Sequence, residues 1–226
     1  MALEVTSGPK PYYSDSFVSI YLGDAREWMP EADVLVTDPP YGRGWKQGAL
    51  LGRSGSLAHA GIAGDEGTGV RDAVLEMWGD RPAVVFGDLM LPPPVGTRQV
   101  LVYHKPPNAG LRGAMGGWRR DVEAIYLLGE WTSGLGGMSS IIATRTRSQG
   151  NPYSPQGKYN HPHAKPIDVM IALIEHTVGV VLDPFVGSGS TLVAAKSLGR
   201  RAIGIEIEER YAAMAAQRCS QEALGL

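Results

Sequence analysis

Cysteine is almost absent: Cys219 is the only one in 226 residues. A single thiol excludes an intramolecular disulfide framework and a cysteine-rich zinc site, and it fits a reducing cytoplasm, the expected location. Long apolar runs are missing too. No stretch approaches the roughly 20 residues of a membrane helix, so no membrane association is expected. The opening MALEVTSGPKPYYSD has neither a basic n-region nor an apolar h-region, so no secretory signal is expected. Neither sign of charge dominates: the formal net charge is −2. With 43% hydrophobic and 19% charged residues, the composition is that of a globular chain and excludes wholesale disorder. This length suits one domain that buries its core without staples.

The near-neutral total hides an uneven distribution. Residues 98–165 carry nine Lys/Arg against three Asp/Glu, whereas residues 1–97 carry seven against thirteen. A basic block inside an acidic chain is either a phosphate-facing surface or a solvated face, and charge alone does not choose. Glycine is plentiful and clustered, with nine between Gly42 and Gly69. That stretch reads as a long loop, a candidate lid. A second irregular segment, residues 129–162, is rich in Gly, Ser, Arg and Tyr.

Seven short apolar runs have strand character: residues 18–22, 33–37, 83–86, 100–103, 123–128, 178–182 and 201–205. Several are apolar on both faces, as in strands covered by helices on both sides. Ile167, Met170, Ile171, Ile174 and Val178 fall on one helical stripe, and residues 190–198 and 208–223 are helix-compatible. Strands alternating with helices predict an α/β fold with a mostly parallel sheet.

Two strand ends carry the chemistry. Near the C-terminus, a strand runs into Asp183-Pro184-Phe185-Val186-Gly187-Ser188-Gly189-Ser190 and then a helix. A glycine turn there lets a ligand approach the backbone and aims the helix N-terminus at it. Glu206 ends the next strand, close to the spacing at which a carboxylate meets ribose hydroxyls. The paired acids suit an adenosine ligand bearing a cationic group better than a dinucleotide. Near the N-terminus, DVLVT ends in Asp38-Pro39-Pro40-Tyr41. Two prolines remove two N–H donors and fix φ. The Asp38 carboxylate and the Pro39 carbonyl then form a pair of acceptors, complementary to an exocyclic NH₂ group. Tyr41 offers a face for stacking a planar heterocycle. Fixed acceptors stabilise the positive charge that develops on an attacking aromatic amine.

DPPY followed by DPFVGSGS resembles the amino-group DNA methyltransferases that use S-adenosylmethionine, in the motif order of their β class. Gly23-Asp24-Ala25 with a helix-like segment (REWMPEA), Tyr103-His104-Lys105-Pro106, Glu123-Ala124-Ile125 and His161-Pro162-His163-Ala164-Lys165-Pro166 are similar to further elements of that family. The resemblance implies a Rossmann-like methyltransferase fold, seven-stranded and circularly permuted. It implies that Asp38, Pro39, Pro40 and Tyr41 hold the target base. It implies that Asp183, Phe185, Gly187 and Gly189 line the methionine end of S-adenosylmethionine, that Glu206 takes its ribose, and that Asp24 lies near its adenine amine. Lys165 is expected near the cofactor carboxylate.

DNA is the implied partner, with Arg112, Arg119, Arg120, Arg145, Arg147 and Lys158 as candidate phosphate contacts. The resemblance makes residues 129–162 the candidate target-recognition segment. A base inside a duplex must be extruded to reach Asp38. No metal is expected: His161 and His163 could form a zinc-binding pair, but the family motif accounts for them better. Family members are often dimers, so a homodimer is the oligomer to test. An aspartate at the first motif position favours adenine N6 over cytosine N4. Cytosine N4 and a catalytically silent cofactor- or DNA-binding module remain the alternatives.

Overall fold

The computed structural model describes residues 9–44, 63–105, 115–132, 136–144 and 164–222. All seven expected strands are present: β2 (Val18–Leu22), β3 (Val34–Thr37), β4 (Ala83–Gly87), β5 (Thr97–His104), β6 (Val122–Leu128), β8 (Val181–Asp183) and β9 (Ala202–Glu206). Two short strands extend the sheet to nine, β1 (Tyr13–Ser14) and β7 (Ile141–Ala143). Both sit at sheet edges and are too short to show a period.

The order is β1-β2-β9-β8-β3-β4-β6-β5-β7. The five strands β2, β9, β8, β3 and β4 run parallel. The two motif strands are therefore direct neighbours: Val34 pairs with Val181 and Leu35 with Leu182. Strand β6 runs antiparallel to β4, with Gly87 opposite Ala124. Its start, including Glu123, thus lies at the edge where the parallel strands end.

Burial on both faces explains the continuous apolar runs. Val34, Val36, Val84 and Phe86 face one way, into a core closed by α2 (Ile167–Ile174), α3 (Ser190–Ser197) and α4 (Glu209–Glu222). Leu35, Ala83 and Val85 face the other way, against Val74 and Trp78 of α1 (Gly69–Trp78). Helix α3 is buried around most of its circumference, which its small residues permit. In α4, Ala212, Ala215 and Cys219 recur at helical spacing and are fully buried.

Three local expectations are corrected. Val178 lies beyond the end of α2 and is 81% exposed, so the apolar stripe stops at Ile174. The segment from Arg26 to Ala32 forms a turn and an irregular stretch rather than a helix, consistent with Pro30. Helix α1 begins inside the tail of the glycine-rich stretch, so that loop ends before Gly69. Among the described residues, no helix is long and apolar enough to cross a membrane.

Candidate active site

Both motifs open into one cavity of about 770 Å³ at the C-terminal edge of the parallel strands. Asp38, Pro39, Pro40 and Tyr41 line one end; Asp183, Phe185, Gly187 and Glu206 line the other. This edge is where open α/β sheets bind ligands, and the volume is that of a small-molecule site.

At the first end, Asp38 is held by a charged network. Its Oδ2 lies 2.8 Å from Lys165 Nζ, and its Oδ1 accepts the Tyr41 hydroxyl at 2.7 Å. Lys165 Nζ also donates to Tyr41 at 3.1 Å and lies 3.1 Å from Glu123 Oε2. Glu123 Oε1 in turn meets Lys105 Nζ at 2.6 Å. The Lys165 ammonium sits 4.9 Å above the Phe86 ring. Burial alone would lower the Lys165 pKa, but Asp38 and Glu123 raise it above the ordinary lysine value, so it stays charged. Burial would raise the Glu123 pKa, yet the two ammonium groups lower it. Burial and the neighbouring carboxylates keep the Tyr41 phenol protonated.

Carboxylates at the second end are held by neutral donors. Asp183 is 2% exposed. It accepts hydroxyls from Thr37 at 2.7 Å and Thr191 at 2.5 Å, and the Phe185 N–H at 3.0 Å. It thus ties the end of β3 to the glycine turn and to α3. Burial pushes its pKa up to about 6 against the pull of those hydrogen bonds. Glu206 accepts the Gly187 N–H at 2.7 Å and the Glu208 N–H at 2.9 Å. Two of its lone-pair positions remain for a ligand. Burial raises its pKa despite those two bonds.

Lys165, expected near the cofactor carboxylate, directs its ammonium to Asp38, Tyr41 and Glu123. Gly189 does not line the cavity. It is the left-handed N-cap of α3 (φ 82°), and a Cβ there would lie 2.9 Å from the Ala215 Cβ, so helix packing demands the glycine. Asp24 lines the cavity, but its carboxylate already grips the Arg26 guanidinium, with Nε 3.0 Å from both oxygens. Arg119 and Arg120 line the rim. Arg112, Arg145, Arg147 and Lys158, like His161 and His163, lie outside the described residues, as does most of the glycine-rich loop. Among the described residues, no group of three or more His, Cys, Asp or Glu could hold a metal ion.

Sequence reasoning passed over five contributors. Glu123 and Lys105 complete the network around Asp38; a glutamate inside the apolar run EAIYLL was the available signal. Thr37 and Thr191 fix Asp183, and nothing in their local sequence marks them. Asp65, for which no role is read from the sequence, accepts the N–H groups of Gly42 at 2.7 Å and Arg43 at 3.2 Å, pinning the backbone just after Tyr41.

A doubly wound sheet whose strand-end cavity joins a glycine turn to an acidic Pro-Pro corner defines a class of α/β transferase-like folds. Within it, residues 77–217 match the DNA methylase family, and the chain belongs to that family. The type II methyltransferase M2.DpnII of Streptococcus pneumoniae is 45% identical over 65 residues, covering 27% of this chain and 24% of that protein. The matched stretch is thus about a quarter of that relative's length. Among solved structures, the M1.HpyAVI–SAM complex superposes with a TM-score of 0.60 at 23% identity, covering 89% of this chain and 99% of that one. The PvuII DNA methyltransferase (cytosine-N4-specific) superposes with a TM-score of 0.61 at 19% identity, covering 93% and 89%. At these identities the superpositions show a shared fold.

Proposed function

We propose that this chain transfers a methyl group from S-adenosylmethionine to the N6 amine of adenine in DNA, after the base is extruded from the duplex. One observation carries the reading: the amine-complementary corner at Asp38 and the acid-flanked glycine turn at Gly187 share a single cavity.

The residues fit the cofactor. Asp183, Glu206 and Glu208 give that end of the cavity an acidic character that suits a sulfonium and an ammonium. The open lone pairs of Glu206 suit a ribose diol. The support for this cofactor from comparison is the fold shared with the SAM complex of M1.HpyAVI. When bound, S-adenosylmethionine supplies a methyl carbon made electrophilic by a positively charged sulfur.

Everything else falls to side chains of this chain. The amine presents two hydrogens, which Asp38 Oδ1 and the Pro39 carbonyl accept. Oδ1 now holds the Tyr41 hydroxyl, so the arriving amine replaces that donor and frees the Tyr41 ring to stack on the base. Lys165 keeps Oδ2 occupied, so the carboxylate is aimed where the amine nitrogen becomes positive during attack. The extra proton leaves the methylated amine through Asp38 Oδ1. Among the described residues, Arg119 and Arg120 are the proposed phosphate contacts; both line the cavity. A homodimer acting in the cytoplasm is the proposed setting, with residues 42–69 and 129–162 as loop and recognition segment of one domain.

Cytosine N4 is the second reading, because PvuII DNA methyltransferase, a cytosine-N4-specific enzyme, shares the fold. Incubating the protein with deuterium-labelled S-adenosylmethionine and unmethylated DNA, then digesting to nucleosides, separates them by mass. Labelled N6-methyl-2′-deoxyadenosine supports the proposal. Labelled N4-methyl-2′-deoxycytidine replaces it with the second reading, and no labelled nucleoside refutes both.

A further inference from the structure

An apolar rim surrounds the mouth of the cavity. Leu89 (47% exposed), Met90 (80%), Met115 (72%) and Trp118 (83%) all line the cavity and reach solvent. Large side chains this exposed gain nothing for the fold, and a cluster of them marks a binding surface. Trp118 is also held in place. Met115 and Trp118 form an antiparallel bridge, with N–H to O distances of 3.1 and 2.9 Å in the two directions. The two intervening residues, Gly116 and Gly117, have φ of 56° and 84°, the left-handed pair that closes a tight two-residue hairpin. The indole is therefore displayed on a rigid hairpin four residues before β6 begins at Val122, next to Glu123, which meets the Lys165 that holds Asp38.

The surroundings select the occupant. Arg119 and Arg120 follow directly on the tip. Arg119 is partly neutralised by Asp121 at 2.9 Å, while Arg120 is exposed and makes no ion pair among the described residues. A flat apolar ring beside guanidinium groups suits a partner with planar faces and an anionic backbone, which is a nucleic acid.

We propose that the Met115–Trp118 hairpin is a wedge, with Trp118 stacking in the gap that the extruded base leaves in duplex DNA. Extrusion costs base stacking, and an indole entering the gap restores part of it. This inference rests on the proposed function but is tested apart from it.

The variants are Trp118→Ala and Trp118→Phe, which alter an exposed side chain. Binding of duplex DNA that carries a single abasic site, a ready-made gap, is followed by tryptophan fluorescence, which needs no methyl transfer. Methylation is compared on a duplex bearing the sequence that the wild-type protein methylates and on the same duplex with an abasic site opposite the target, where the base is already loosened. The wedge predicts that DNA quenches wild-type fluorescence and that Trp118→Ala loses this quenching. It also predicts that Trp118→Ala loses roughly ten- to a hundredfold in rate on the intact duplex. Most of that rate returns on the abasic duplex, and Trp118→Phe stays within a few fold of wild type. Equal quenching in wild type and Trp118→Ala overturns the wedge, as does an equal rate loss on both duplexes. Quenching without any methylation by the wild type keeps the wedge and refutes the proposed reaction.

Discussion

Asp38 and Asp183 end neighbouring strands and face the same cavity, yet the protein holds them in different ways. Asp38 is paired with an ammonium and a phenol, within a chain of alternating charges that runs through Lys165 and Glu123 to Lys105. Asp183 meets no cation among the described residues; two threonine hydroxyls and a backbone N–H serve it. The first arrangement seats the carboxylate in a network of charges that fixes its position. The second leaves a buried acid within reach of protonation. A corner that stabilises developing positive charge needs the former, whereas a pocket that binds a cation only has to be anionic at working pH.

The sharpest way to break this contrast is to remove the cation from the first corner. Lys165→Met leaves Asp38 and Glu123 facing each other in a buried site. Methyl transfer should fall by at least a hundredfold, and unfolding free energy by about 3–5 kcal/mol. The double variant Lys165→Met, Glu123→Gln should recover much of the stability and little of the rate, as read by denaturant titration and initial rates. Recovery of both would make Lys165 a purely structural residue.

A smaller effect is expected at the second corner. Glu206→Gln replaces one acceptor of a backbone N–H with an amide donor and removes a charge. The KM for S-adenosylmethionine should rise about tenfold with kcat nearly unchanged, a loss of binding and not of chemistry.

Smallest is a pH effect, whose sign separates the corners. The folded pKa of Asp183 is about 6 against an ordinary 3.8. Its contribution to stability is therefore full below 3.8 and is lost as pH rises through about 6. Between these values, acidification should firm the fold through Asp183 while weakening cofactor binding, because the carboxyl loses its charge. Isothermal titration of S-adenosylmethionine at pH 7.5 and 5.5 should show that weakening in wild type and a flatter response in Asp183→Asn. Glu123 has the opposite sign: its depressed pKa keeps its contribution above the ordinary glutamate value and gives it up only on deeper acidification.

The same contrast shows what a sequence discloses. Each motif was legible because it is local: a strand such as VLVT, buried at every residue, delivers Asp38 at its end. Their adjacency followed from the family's motif order, and the pairing of β3 with β8 realises it. Glu123 and Lys165 were not legible as a pair. They lie 42 residues apart and meet at Asp38 only because β6 runs antiparallel to β4 and returns its start to the ligand edge. The packing reason for Gly189 was not legible either, because a glycine that clears a ligand and one that clears a helix look alike in sequence; the Ala215 contact shows only in three dimensions. Trp118 carries no motif at all, and only its exposure at the cavity mouth marks it.

The central claim is that one cavity divides its labour, with amine activation at Asp38 and donor binding at the glycine turn. Asp38→Ala tests it most directly, with S-adenosylmethionine affinity measured by calorimetry and transfer to DNA measured with the labelled donor. The account predicts affinity within a few fold of wild type and methyl transfer reduced at least a thousandfold. Retained transfer, or loss of donor binding in a folded Asp38→Ala protein, would contradict it.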